Sequence, residues 1–266
     1  MREYNYEGSS LRKSQLEMLE ALKVFAQICK EHDIKWWLCS GTLLGTARHK
    51  GFIPWDDDAD VSMMKEDYMK LEKILVKMND EKYFYQCTKT DPEYVNFFGK
   101  FRKKTDPLTS NDPREQHYRY NGPGFDIFCI EKSSRFAAHM AKFFYHNMQY
   151  PTQHIRNKGF RRFMIGLVKA LNRGIFIPLT RMVGLVNPKK QYHYLLGSGF
   201  YKSAFYKEDI FPLSTMEFEG VEFPVPGNTD AYLTKIYGDW HKLPSEEQIR
   251  KTLHCPAYIK EIFGDE

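Results

Sequence analysis

Asp56, Asp57, Asp58 and Asp60 place four carboxylates within five positions. Two like unit charges about 4 Å apart repel by roughly 4 kcal/mol at an effective dielectric near 20. Such a cluster is costly unless water surrounds it or a cation sits within it. Here it is bounded by Phe52-Ile53-Pro54-Trp55 and Val61-Ser62-Met63-Met64, which read as buried structure rather than a solvated tail. A hard divalent cation, which prefers oxygen ligands, is the natural partner. Residues two apart on a strand face the same side. Asp58 and Asp60 are therefore expected to point together, with Asp57 turned away. Asp56 joins that edge if the strand begins early. A clamp of two carboxylates leaves coordination positions for phosphate oxygens and water.

Other residues extend this chemistry. Asp126, in Gly124-Phe125-Asp126-Ile127-Phe128, puts a charge inside an apolar strand, which is expensive without a partner. It reads either as a third metal ligand or as a salt-bridged strand aspartate. Gly41 and Gly45 lie about fifteen residues before the acidic cluster. Glycine lets backbone approach a ligand closely, and helix N-terminal amides favour phosphate. Alternatively, glycine at a strand-to-helix turn serves turn geometry alone. Ser40 and Thr42 offer hydroxyls to the same phosphate. Arg48 is placed to neutralise a phosphate oxygen. Lys100 is the first choice for that task among Lys100, Arg102, Lys103 and Lys104, against a reading of all four as a solvated strand end. His49 reads as structural rather than as a base.

These groups need elements to hold them. Leu11, Met18, Leu19, Leu22, Phe25, Ala26 and Cys29 recur at helical spacing after Ser10, a plausible cap. Ile34 to Cys39 reads as a buried strand and 41–48 as a helix start. Asp58 to Met63 reads as a second strand, followed by a helix through Met64, Tyr68, Leu71, Leu75 and Met78. Further strands are expected at Tyr83 to Gln86, Val95 to Phe101 and Phe125 to Ile130. Residues 105–124 are rich in Pro, Gly and Asn, and a loop that long often covers a site. Helices dominate from Ser133 to about Val186. The expectation is a mixed α/β core over about 1–132 with a mostly helical extension over about 133–266, forming one catalytic domain.

The 266 residues carry a net charge of +5, too mild for a nucleic-acid tail but suited to an anionic partner. The five cysteines are odd in number and contain no Cys-x-x-Cys pair, so a disulfide framework or thiolate zinc site is not expected. Reduced thiols in the cytosol are the plainer reading. Met1 to Ser10 is polar and does not resemble a secretory signal. With no run of eighteen apolar residues, no bilayer span is expected.

The segment from Trp36 to Asp60, with Ser40-Gly41-Thr42-Leu43-Leu44-Gly45-Thr46-Ala47-Arg48 and Pro54-Trp55-Asp56-Asp57-Asp58-Ala59-Asp60, resembles the core motif of the LicD family. That family includes bacterial phosphocholine transferases and, more distantly, fukutin and fukutin-related protein. Weaker similarity continues through Phe125-Asp126-Ile127-Phe128, Tyr232-Leu233, Tyr237-Gly238-Asp239-Trp240, Leu243-Pro244 and Arg250 to His254. Phe128 is followed by Cys129-Ile130, where relatives often carry Pro-Leu. The zinc-binding cysteines of the fukutin-related branch have no equivalent spacing here.

The resemblance implies a nucleotidyltransferase-like α+β fold with a mixed sheet. Its Gly-Ser/Thr turn falls on Ser40-Gly41-Thr42 and its acidic metal triad on Asp58, Asp60 and Asp126. It implies Mg²⁺, or Mn²⁺, and transfer of a phospho-alcohol from a CDP-linked donor to a glycan hydroxyl, releasing CMP. Asp126 or Asp56 would accept the hydroxyl proton. A choline head group would want an aromatic cage, and Tyr118, Tyr120, Tyr232, Tyr237 and Trp240 are available.

Phe160, Phe163, Met164, Leu167, Val168 and Leu171 form an apolar stripe, with Lys158, Arg161, Arg162, Lys169 and Arg173 on other faces. Such a helix suits either an anionic membrane surface, useful for a lipid-linked acceptor, or packing on the catalytic core. The rival functions are a nucleotidyltransferase that uses a nucleoside triphosphate and a non-catalytic module that binds glycan or membrane.

Overall fold

The computed structural model describes residues 4–104, 115–186, 189–195, 203–253 and 255–264. The segment 105–114 of the expected loop and His254 of the C-terminal motif lie outside the described residues.

Helix α1 (Ser10–Glu31) is amphipathic. Leu11, Met18, Leu22, Phe25 and Cys29 fall on its buried stripe, and its cap is Ser9, not Ser10: the Ser9 hydroxyl accepts from the Arg12 amide at 3.1 Å. The first strand is shorter than expected. Only β1 (Trp37–Leu38) pairs, before the chain enters α2 (Ser40–His49). Strand β2 (Asp60–Met64) starts two residues later than expected, which leaves Asp56 to Asp58 in the connecting loop. Helix α3 (Lys65–Leu75) follows directly, and then β3 (Tyr83–Gln86), β4 (Gly99–Lys103) and β5 (Gly124–Lys132).

The sheet order is β1-β2-β5-β4-β3. Only the central β2–β5 pair is parallel, so the sheet is mixed. Its register sets the site. Asp60 is the cross-strand partner of Asp126, and Asp126 is the partner of Lys100 on the other side. Two acids and one base thus share a row over three adjacent strands.

From Ser133 the chain is helical, as expected, through α4 (Arg135–Phe144), α5 (Lys158–Leu171) and α6 (Ile177–Leu185). A π-helical turn joins α5 to α6, giving a continuous run Lys158–Leu185 of 28 residues. Its most apolar eighteen-residue window has a mean hydropathy of 1.3, so by length and composition it is sufficient to cross a bilayer. Lys158, Arg161, Arg162, Lys169, Arg173 and Arg181 interrupt it, so it is not the unbroken apolar stretch of a clear bilayer span, in line with the sequence expectation.

The remainder is less helical than expected. Strand β6 (Tyr192–Tyr194) joins the central sheet beside β5, and β7 (Ser214–Phe218) pairs with β8 (Val221–Val225) in a separate hairpin. The hairpin turns through Glu219 (φ 52°) and Gly220 (φ 76°), the two successive positive-φ residues that a tight type I′ turn demands. Phe218, Phe223, Val225, Tyr232 and Leu233 enter the same core as Phe25, Trp37 and Phe125. The C-terminal segments α7 (Thr229–Tyr237), α8 (Glu246–Thr252) and α9 (Pro256–Phe263) close the molecule.

Candidate active site

The acidic loop is held from three sides. Gln15 is fully buried on α1, and its Nε2 donates to the carbonyls of Asp56 (2.9 Å) and Ile53 (3.3 Å). Glu219, paired with Arg12 at 2.6 Å, accepts from the Phe52 amide. Asp57 turns away as expected, and its Oδ2 accepts from the Cys255 amide at 2.9 Å. Sequence reasoning missed Gln15. Its signal was a polar residue on the helical stripe that carries Leu11, Met18 and Leu22.

Ser40 opens α2 in the left-handed region (φ 50°), unusual for a non-glycine residue and characteristic of functional turns. Gly41 follows, and a Cβ there would lie 2.6 Å from Asp56 Oδ2. The space gained by lacking a side chain is therefore taken by a carboxylate. Gly45 serves packing instead of a ligand: its Cβ would meet the Gly51 carbonyl at 2.4 Å. Thr42 Oγ1 accepts from the Asp60 amide at 2.7 Å, and the Ser40 hydroxyl donates to Cys39 Sγ at 3.6 Å. Ser40 and Thr42 are both buried. Thr42 thus holds the main chain of Asp60 and Ser40 bonds to its neighbour, where the sequence reading put both hydroxyls on a phosphate.

Asp56, Asp58 and Asp60 emerge in the wall of a cleft of about 790 Å³, together with Gly41 and Arg48. The opposite wall is the C-terminal segment, with Tyr237, Trp240, Lys242, Gln248 and Lys251. Arg48 joins the walls by donating from Nη1 to the carbonyls of Trp240 (3.3 Å) and Lys242 (3.5 Å). Its buried Nε has no hydrogen-bond partner, and burial depresses its pKa. Of the five aromatic candidates, Tyr237 and Trp240 line the cleft. Tyr232 is core, bonded to Tyr194 at 2.8 Å, while Tyr118 packs on Tyr94 and Tyr120 on Phe84. His49 is half-buried with its ring edge-on to Trp55, as a structural histidine would be.

The charges in this cleft are unbalanced. Burial, then repulsion from Asp58, Asp57 and Asp60, holds the Asp56 pKa well above the usual carboxylate range. Asp60 is raised by burial and by Asp58 and Asp126, with Lys100 and Ser40 opposing. The Tyr237 pKa is raised by burial and by Asp60, Asp56 and Asp58.

Asp126 stands next to Asp60, but its Oδ1 is 2.5 Å from Lys100 Nζ in an ion pair that lacks hydrogen-bond alignment. Lys100 thus neutralises a carboxylate of the protein. Each other cation of that strand end is also engaged: Arg102 with Glu115, Lys103 with Glu17 at 2.5 Å and Lys104 with the Asp80 carbonyl. None of the four lines the cleft, because β4 turns them onto acids of neighbouring segments. The cations in the cleft wall are instead Arg48, Lys242 and Lys251.

As the side chains stand, no three His, Cys, Asp or Glu residues among those described converge into a metal-binding set. The donor chemistry nonetheless fits Mg²⁺ or Mn²⁺. It is all carboxylate oxygen, and burial and mutual repulsion raise the pKa values of Asp56 and Asp60, a strain that a bound dication would relieve.

A mixed sheet with a Ser-Gly-Thr helix start facing paired strand acids is the arrangement of a nucleotidyltransferase domain. The chain belongs to the family described as LicD/FKTN/FKRP, nucleotidyltransferase domain, whose model matches residues 33–170. It is 27% identical to the lipopolysaccharide cholinephosphotransferase LicD of Haemophilus influenzae over 271 residues, covering 96% of this chain and 98% of that protein. An uncharacterized protein of Rickettsia prowazekii is 36% identical over 85 residues, covering 29% of this chain and 32% of that one. Ribitol 5-phosphate transferase FKRP of Mus musculus is 35% identical over 72 residues, covering 27% of this chain and 15% of that protein.

Proposed function

We propose that this protein transfers a phospho-alcohol group, phosphocholine or a relative of it, from a CDP-linked donor to a hydroxyl of a cell-surface glycan or its lipid-linked precursor. The observation that carries the reading is the gathering of three carboxylates and Arg48 in one cleft large enough for a nucleotide. The near end-to-end match to a cholinephosphotransferase supports it.

In this reading Asp58 and Asp60 hold Mg²⁺, or Mn²⁺, with Asp126 as the third acid. The bound ion supplies charge neutralisation for the donor's diphosphate. Arg48 meets a phosphate oxygen with its free Nε–H, while Lys242 and Lys251 add positive charge to the facing wall. Tyr237 and Trp240 supply the aromatic surface for a cationic head group. Asp56 takes the proton of the acceptor hydroxyl, a role suited to a carboxyl whose pKa is already raised. The acceptor oxygen forms a bond to the alcohol-bearing phosphorus. The bond from that phosphorus to the bridging oxygen breaks, and CMP leaves with the electron pair.

We place the reaction on the cytoplasmic side. Among the described residues the five cysteines are buried and form no disulfide, which suits a reducing compartment. The deciding experiment incubates the protein with a panel of CDP-alcohols, a glycan acceptor and Mg²⁺. Release of CMP with gain of phospho-alcohol on the acceptor supports the proposal. Pyrophosphate released from a nucleoside triphosphate favours nucleotidyl transfer. No Mg²⁺-dependent nucleotide binding favours a non-catalytic module.

A further inference from the structure

Helices α4 to α6 leave an unusual surface. Phe136 and Phe143 are exposed on one face of α4, and Phe160, Phe163 and Leu167 on one face of α5. Ile175, Leu179, Met182 and Leu185 continue at helical spacing, with Met182 65% and Leu185 71% exposed. Solvent-facing apolar side chains in such numbers mark an interaction surface.

The charge around this surface is one-sided. Between Ser133 and Val186 there are nine Lys or Arg and no Asp or Glu. Three of the nine are neutralised by acids from outside the segment: Arg161 and Arg162 by Glu93, and Arg181 by Glu131. Lys142, Arg156 and Lys158 are exposed beside the apolar side chains.

The inner side of the run is fixed to the body of the protein. Arg161 Nε lies 2.9 Å from Glu93, Lys169 donates to the Pro92 carbonyl, and Arg173 bonds to Thr88. At its far end, α6 packs so closely that a Cβ on Gly184 would lie 2.8 Å from Ser133 Cα. A helix tethered along its side in this way lies in a bilayer interface and does not cross it.

We infer that the outer faces of α4, α5 and α6 dock on an anionic lipid surface, with Phe136, Phe143, Phe160, Phe163 and Met182 entering the headgroup boundary and Lys142, Arg156 and Lys158 meeting lipid phosphate. Apolar burial and attraction to acidic headgroups act together. The inference is independent of the transfer chemistry, because vesicle binding is read without donor or acceptor.

The test is sedimentation of the full chain with vesicles of phosphatidylcholine, or of phosphatidylcholine mixed with phosphatidylglycerol, at low and high salt. The expected result is pelleting with the anionic vesicles at low salt, roughly tenfold above the neutral vesicles, weakening as salt rises. The double variant Phe163→Asp/Met182→Asp should lose vesicle binding while keeping its circular dichroism and melting temperature, since both side chains are exposed. Lys142→Glu/Lys158→Glu should lose the preference for anionic lipid. Absence of pelleting with anionic vesicles at low salt would overturn the inference, as would full binding by the double aspartate variant. So would a vesicle-independent dimer, seen by light scattering and abolished by Phe163→Asp, because the face would then belong to a second copy.

Discussion

The carboxylate of Asp56 occupies the space that a side chain on Gly41 would fill, with the missing Cβ only 2.6 Å from Asp56 Oδ2. Because that oxygen ends a rotatable side chain, Gly41→Ala displaces the acid more than it disrupts the fold. The expected stability loss is about 1 kcal/mol, at the low end for overpacking. Moving a reacting group by an ångström costs roughly 10²-fold in rate. CMP release should therefore fall far more than the denaturation midpoint, and equal losses in both would assign Gly41 to packing alone.

Asp58→Asn and Asp60→Asn should each abolish turnover. Thr42 holds the main-chain amide of residue 60, so that bond survives the substitution. Each variant also removes one charge from a crowded acidic set, so the metal-free protein should melt at the same temperature or higher. Full activity in either variant would refute the metal assignment.

The raised pKa values of Asp56 and Asp60 fix the direction of a pH dependence. Their unfolded-state values are about 3.9. Above that pH the folded, metal-free protein binds more protons at these sites than the unfolded chain. Their contribution to stability is thus fully present below the unfolded pKa and is lost as pH rises toward the elevated folded values. A bound dication replaces those protons. The rise in melting temperature on adding Mg²⁺ or Mn²⁺ should accordingly be larger at pH 8 than at pH 5. Calorimetric scans at both pH values check this, and an equal or reversed effect would place the ion elsewhere.

Lys100 and Asp126 are mostly buried, with 19% and 16% of their side chains exposed. Lys100→Met leaves Asp126 beside Asp60 without its counter-ion and should cost about 3 kcal/mol, the lower end for breaking a buried pair. The second change Asp126→Asn should recover much of that loss. Urea titrations of the two single variants and the double variant measure the coupling, and additive losses would show that the pair is not a unit.

The short-range part of this architecture was readable from the chain. The period of α1, the positions of β3 and β5 and the helical stretch after Ser133 follow from local pattern, and the acidic loop announces itself by charge density. Misreadings arose where partners come from far away. Lys100 looked like a phosphate ligand because nothing nearby in sequence reveals that β4 sets it opposite Asp126. Thr42 looked like a ligand donor because its bond to the Asp60 amide depends on how α2 meets β2. Tyr232 looked available for a cage, yet it is sealed in the core against Phe205, Tyr194 and Trp37. The hairpin β7–β8 escaped notice, although Glu219-Gly220 carried its turn signal.

The two walls of the cleft come from residues 41–60 and 237–252, segments far apart in the sequence. A chain cut before residue 237 keeps every acidic side chain of the motif and has only half of the cleft. The cleft therefore exists only once the segment around 237–252 has folded back against residues 41–60, so tertiary closure, not the acidic motif alone, creates it.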